Sequence, residues 1–111
     1  MYDYKDPCVL DFSNVKYYFD IHAVISEALD FPSYYGRNWD ALWDCMRDIL
    51  GSPIHMQIKG LEVIGQERFG NTVQMLLDVF KDFKHYGNDK YADTILIEII
   101  DSKTGKITVL E

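Results

Sequence analysis

From Asn38 to Leu50 the apolar residues Leu42, Cys45, Met46 and Ile49 recur at helical spacing, and at about 100° per residue they share one stripe. Asp40, Trp43, Asp44 and Arg47 share the opposite one. Asn38 can cap the first turn and Gly51, Ser52 and Pro53 stop the last, so the pattern predicts a helix over 38–50. An earlier helix, capped by Asp20, carries Ile21, Val24, Ile25, Ala28 and Leu29. A later one, opened by Asn71, turns Val73, Leu76, Leu77, Phe80 and Phe83 toward a core and ends at the turn Gly87-Asn88-Asp89. Residues 60–70 are mixed and hold a short helix.

Between these lie runs of strand character. Cys8 to Phe12 is a short strand, Ile54 to Ile58 alternates, and Thr94 to Ile100 is rich in β-branched residues. Strands separated by helical segments favour a parallel sheet covered by helices, because a parallel crossover needs that length of chain. Asp101 to Gly105 then reads as a turn into residues 106–110, a candidate antiparallel strand on an edge. The expectation is a single α/β domain spanning residues 1–111, without internal repeats.

Composition narrows the function. A chain of 111 residues builds one core but not two domains with a linker, and 48% hydrophobic with 14% aromatic residues places it among folding sequences. A formal charge of -7 repels nucleic acid and anionic membrane and attracts a basic protein, although acidity that serves only solubility stays open on charge alone. Met1 to Asp6 is polar, with no apolar signal-peptide core, so the cytoplasm is the expected compartment. There Cys8 and Cys45 are expected as core thiols rather than a disulfide or metal pair. The run around residues 94–100 is broken by Glu98 and too short to span a bilayer.

The segment Pro32 to Cys45 concentrates two tryptophans, two tyrosines and two aspartates at one helical entry. A tryptophan on the polar side of an amphipathic helix, between carboxylates one turn apart, forgoes burial and suits anchoring of a partner. Catalysis is disfavoured. Paired acid and base carboxylates need opposed placement around a substrate, which adjacent turns of one exposed helix do not give. His22, His55 and His85 fall in three different elements without metal-ligand spacing, and there is no phosphate loop, dinucleotide fingerprint or serine elbow. Neither cofactor nor metal is expected.

The run Tyr34-Tyr35-Gly36-x-Asn38-x-Asp40-Ala41-Leu42-Trp43-Asp44-Cys45 closely resembles the most recognisable segment of the barstar family, small intracellular inhibitors of barnase-type ribonucleases. The likeness extends back without a gap through Cys8 to Phe31 and resumes, after a one-residue insertion, at Leu76 to Gly87. It implies a small three-stranded parallel sheet packed by helices, with the segment at residues 106–110 as an addition. It also implies a monomer when free, and a partner that is a basic, barnase-like ribonuclease. Carried over from the motif, Tyr34, Asn38, Asp40, Trp43 and Asp44 face the ribonuclease, with Asp44 standing in for a phosphate among cationic side chains. Asp82 falls where the family carries an acidic contact, one methylene shorter. Asp48, Ile49 and Tyr86 depart from the family's type member, and Arg47 adds a positive charge between Asp40 and Asp44, which puts the identity of the partner in question more than the mode of binding. The competing expectation is an interaction protein of the same fold that binds a cationic partner other than a nuclease.

Overall fold

The computed structural model describes residues 4–32 and 35–111. Strands β1 (Cys8–Asp11), β2 (Ile54–Lys59), β3 (Ile95–Ile100) and β4 (Ile107–Val109) form one sheet in the order β1-β2-β3-β4. The first three are parallel, with Leu10 beside Ile58 and Met56 beside Ile97. β4 runs antiparallel to β3, pairing Glu98 with Val109 and Ile100 with Ile107. The α/β class and the extra edge strand are thus as the sequence pattern predicts.

Side chains alternate across the sheet with period two. Cys8, Leu10, Ile54, Met56, Ile58, Ile95 and Ile97 point to one face and are buried. They meet Ile21, Ile25 and Leu29 of α1 (Tyr18–Leu29), Leu42, Cys45 and Met46 of α2 (Trp39–Asp48), and Leu76, Phe80 and Phe83 of α4 (Thr72–Lys84), with the short α3 (Leu61–Ile64) contributing Ile64. Each fully buried Leu, Ile or Phe contributes about 2 kcal/mol of transfer free energy, so this common cluster holds the helices on the sheet. The opposite face carries Val9, Gln57 and Glu98 in one row and, among the described residues, remains open, with Val9 and Leu96 exposed. An open face is unusual for parallel strands, which are ordinarily covered on both sides.

Local details refine the sequence expectations. α1 begins at Tyr18, ahead of Asp20. The Asp20 carboxylate instead reaches back from inside the first turn, accepting from the backbone N–H of Tyr17 at 2.9 Å and of Lys16 at 3.2 Å, the role an acidic residue takes in a capping box. Asn71 precedes α4 but makes no side-chain cap; Thr72 Oγ1 donates to the Phe69 carbonyl at 2.5 Å instead. α4 stops at Lys84, and the expected turn follows with Gly87, Asn88 and Asp89 all at positive φ. Gly60, after β2, has φ +78, and a Cβ there would lie 2.5 Å from the Ser13 backbone nitrogen; only glycine permits that approach. Neither cysteine forms a disulfide and both are buried, and Cys8 Sγ donates to the Ala28 carbonyl at 3.1 Å. Burial pushes the Cys8 thiol up to about 11, which keeps it protonated and inert.

Candidate functional site

The approach to α2 is fixed from beneath. Phe31 and Tyr35 are buried and meet edge to face with ring centres 5.2 Å apart. The Tyr35 hydroxyl lies 2.6 Å from Nδ1 of the buried His22 on α1, and the Trp39 ring packs 4.8 Å from the same imidazole. Burial, and secondarily the charge of Arg37, hold His22 below its ordinary value. Burial above all lifts the Tyr35 phenol far above its own, so both members of the pair are neutral at pH 7. Of the adjacent tyrosines, Tyr35 is therefore a structural support, while Tyr34 lies outside the described residues.

Asn38 completes the entry. Its side-chain oxygen accepts from the Ala41 N–H at 2.8 Å, the N-cap bond expected from the sequence, and its amide donates to the Gly36 carbonyl at 3.3 Å. One side chain thus starts the helix and holds the preceding turn, and Arg37 between them takes φ 54. α2 then buries Leu42, Cys45 and Met46, as its periodicity predicts. Asp40, Asp44 and Arg47 are exposed on the far side. Among the described residues no ion pair engages Asp40, Asp44 or Asp82.

Trp43 differs from the expectation of a residue that forgoes burial. It is half-buried against the core, with its ring 6.0 Å from that of Tyr86, which in turn stacks on Tyr91 at 6.4 Å. The physical reason is its place on the flank of the helix: α2 packs beside α4, and the turn after α4 brings Tyr86 over that flank. Asp82 is exposed on α4, one residue before the buried Phe83. The structure thus sets Asp40 and Asp44 on one helix face and Asp82 on the adjoining helix, with Trp43 and Tyr86 meeting between the two elements.

Sequence reasoning missed the part played by His22. Its signal was present, since His22 and the buried Ile25 are three residues apart and share the inward stripe of α1. Tyr86, read only as a departure, is the ring that covers Trp43. No group of three or more His, Cys, Asp or Glu among the described residues could hold a metal ion. Nor is any described helix long and apolar enough to cross a membrane. What the arrangement offers is an acidic, aromatic-edged surface on a rigid helix, suited to binding cationic groups.

Comparison with known proteins agrees. The family model described as Barstar (barnase inhibitor) matches residues 6–98. A Bacillus subtilis (strain 168) protein named "Putative ribonuclease inhibitor YrdF" is 33% identical over 88 residues, covering 79% of this chain and 90% of that relative.

Proposed function

The chain belongs to the barstar family, and on that premise we propose that it inhibits a basic, barnase-type ribonuclease by occluding the active-site cleft with the approach loop and the exposed face of α2. It acts as a binding protein and not as an enzyme. Asp44 takes the position of a substrate phosphate through charge-assisted hydrogen bonds, and Asp40 and Asp82 pair with flanking cations. Tyr34 and the exposed edge of Trp43 exclude water around those pairs, and Asn38 both caps α2 and contacts the enzyme. The reading places the inhibitor in the cytoplasm of a cell that makes the nuclease for export.

The observation that carries this reading is the pair of exposed carboxylates, Asp40 and Asp44, one turn apart on a helix whose entry is locked by Asn38 and Tyr35. A surface held in its binding geometry before encounter loses little conformational freedom on docking. The exposed Arg47, one turn beyond Asp44 on the same helix face and not between the two carboxylates, favours the second reading, a cationic partner of another kind, because a basic nuclease cleft repels it.

The test is RNA hydrolysis by a panel of barnase-type ribonucleases, titrated with this protein and with Asp44→Ala. Loss of cleavage near one equivalent, with affinity weakened about thirtyfold or more in the variant, is the expected outcome for a central anchor. Asp11→Ala, off the proposed surface, should leave inhibition unchanged. Failure to inhibit any enzyme of the panel would transfer the assignment to the second reading.

A further inference from the structure

The geometry points to β4 as a self-pairing edge: two copies of this chain join β4 to β4 about a two-fold axis, making one continuous eight-stranded sheet. This does not rest on the proposed inhibition. β4 lies beyond residues 6–98, the part matched to the family, and includes none of the candidate site residues. It departs from the monomer expected from the sequence.

The register fixes which groups face outward. The Asp101 N–H donates to the Lys106 carbonyl at 2.9 Å and the Leu110 N–H to the Ile97 carbonyl at 2.8 Å, while Ile99 stands opposite Thr108. The Lys106 carbonyl, the Leu110 N–H and the backbone of Thr108 therefore face β3. By the alternation of an antiparallel ladder, the N–H and C=O of Ile107 and Val109 point away from the sheet, where β4 is the last strand in the order. Their side chains, 51% and 43% exposed, stand on the open face.

These groups are self-complementary. With Thr108 opposite the Thr108 of a second copy, Ile107 of each chain exchanges both backbone hydrogen bonds with Val109 of the other. Each Ile107 side chain then covers the other copy's Val109, a β-branched cross-strand pair, and the two Thr108 hydroxyls face each other. The same register carries Glu111 of one copy past Gly105 and Lys106 of the other, setting an acidic residue beside a basic one at both ends. Residues 107–109 carry neither proline nor charge, two of the devices that ordinarily guard an edge.

The strand is also held ready. Asp101 Oδ1 accepts from the N–H groups of Lys103 at 2.8 Å and Thr104 at 3.0 Å, which shapes the turn before β4. After it, Leu110 is buried and Lys84 Nζ donates to its carbonyl at 3.0 Å. Pairing therefore orders little new chain. The other edge, β1, borders a hollow of about 550 Å³ lined by Lys5, Asp11 and Glu27 among others, and docking β4 there would be head to tail and open-ended.

Sedimentation equilibrium of the full chain, from low micromolar to near-millimolar concentration, tests this. A monomer–dimer equilibrium is expected, and Val109→Lys should raise its dissociation constant at least tenfold while circular dichroism shows an unchanged fold. Thr108→Cys should cross-link to a disulfide dimer under mild oxidation, because its two copies meet in a non-hydrogen-bonded pair with Cα atoms about 4.5 Å apart. Ile107→Cys, offset from its own copy, should not. A monomer throughout, a dimer that a folded Val109→Lys leaves intact, or mass that grows past two copies would each overturn the proposal.

Discussion

The Tyr35 phenol oxygen and Nδ1 of His22 lie 2.6 Å apart, so a buried polar pair ties the loop before α2 to the middle of α1. The other ring nitrogen, Nε2, is buried and has no hydrogen-bond partner among the described residues. A charged imidazolium there would carry an unsatisfied proton in a site walled by Tyr18, Tyr35 and Trp39.

Acid should therefore loosen the entry to α2. His22 is held below the 6.5 of a free imidazole by burial and by Arg37, so as pH falls through 6.5 the unfolded chain takes up a proton that the folded chain refuses. Stability then declines with falling pH by up to about 1.4 kcal/mol per unit until the folded value is passed. Glu98, lowered by hydrogen bonds from His55 and then Gln57, adds a separate loss only below 4.5, where its unfolded carboxylate protonates first. Urea denaturation from about pH 7 to about pH 5 isolates the histidine. His22→Gln should flatten the slope in that window; a slope parallel to the wild type would remove His22 as its cause.

Asn38→Ala should cost about 1 kcal/mol of folding stability, the usual value of an N-cap, because it leaves the Ala41 N–H without its acceptor. It should weaken ribonuclease binding by more than that, since the bond to the Gly36 carbonyl that shapes the loop is lost as well. Asn38→Asp keeps the cap and loses only the second bond. Thermal melts should place it close to the wild type, with binding intermediate. Equal melting temperatures for Ala and wild type would show that the cap is not what holds this helix.

The parts of the fold legible in the sequence were those with local periodicity. The buried stripe of α2, the alternation in β2 and the turn that opens β4 are each written within a dozen residues. Trp43 was misplaced because its cover, Tyr86, comes from a distant turn that no local pattern pairs with α2. Asp20 was set at a helix cap because an aspartate ahead of an apolar run satisfies that signal, while a carboxylate reaching back from the first turn leaves the same trace. For the candidate site, the motif supplied Asp40 and Asp44 and their exposure followed from the stripe. The buried support under Tyr35 depends on α1 crossing the loop, which is tertiary information.

Gly60→Ala should destabilise by more than about 2 kcal/mol, combining left-handed strain with a collision against backbone that cannot rotate away. The added Cβ would sit 2.5 Å from the Ser13 nitrogen and 2.8 Å from the Phe12 carbonyl carbon. Gly105→Ala, at φ +72 with nothing within 4 Å, isolates the conformational part and should cost about 1 kcal/mol. Chemical denaturation of both variants measures the difference. Similar losses would mean that the chain after β1 yields at Ser13.

Arg47 gives the sharpest test of electrostatic steering, because it is the one cation among the exposed residues 40, 44 and 47 of α2. Toward a basic ribonuclease it opposes Asp40 and Asp44, so Arg47→Ala should speed association at low ionic strength by a few-fold and change dissociation little. Salt should erase the gain, since screening shortens to about 10 Å near 0.1 M and acts first on charges that have not yet met. Asp44→Ala should behave oppositely, with most of its loss in faster dissociation that salt does not restore, because its partner is met only in the complex. Stopped-flow association and dissociation rates across an ionic-strength series separate the two. If Arg47→Ala slows association instead, the arginine is pairing with an acidic group on the partner, and the surface that α2 meets is not a uniformly basic cleft.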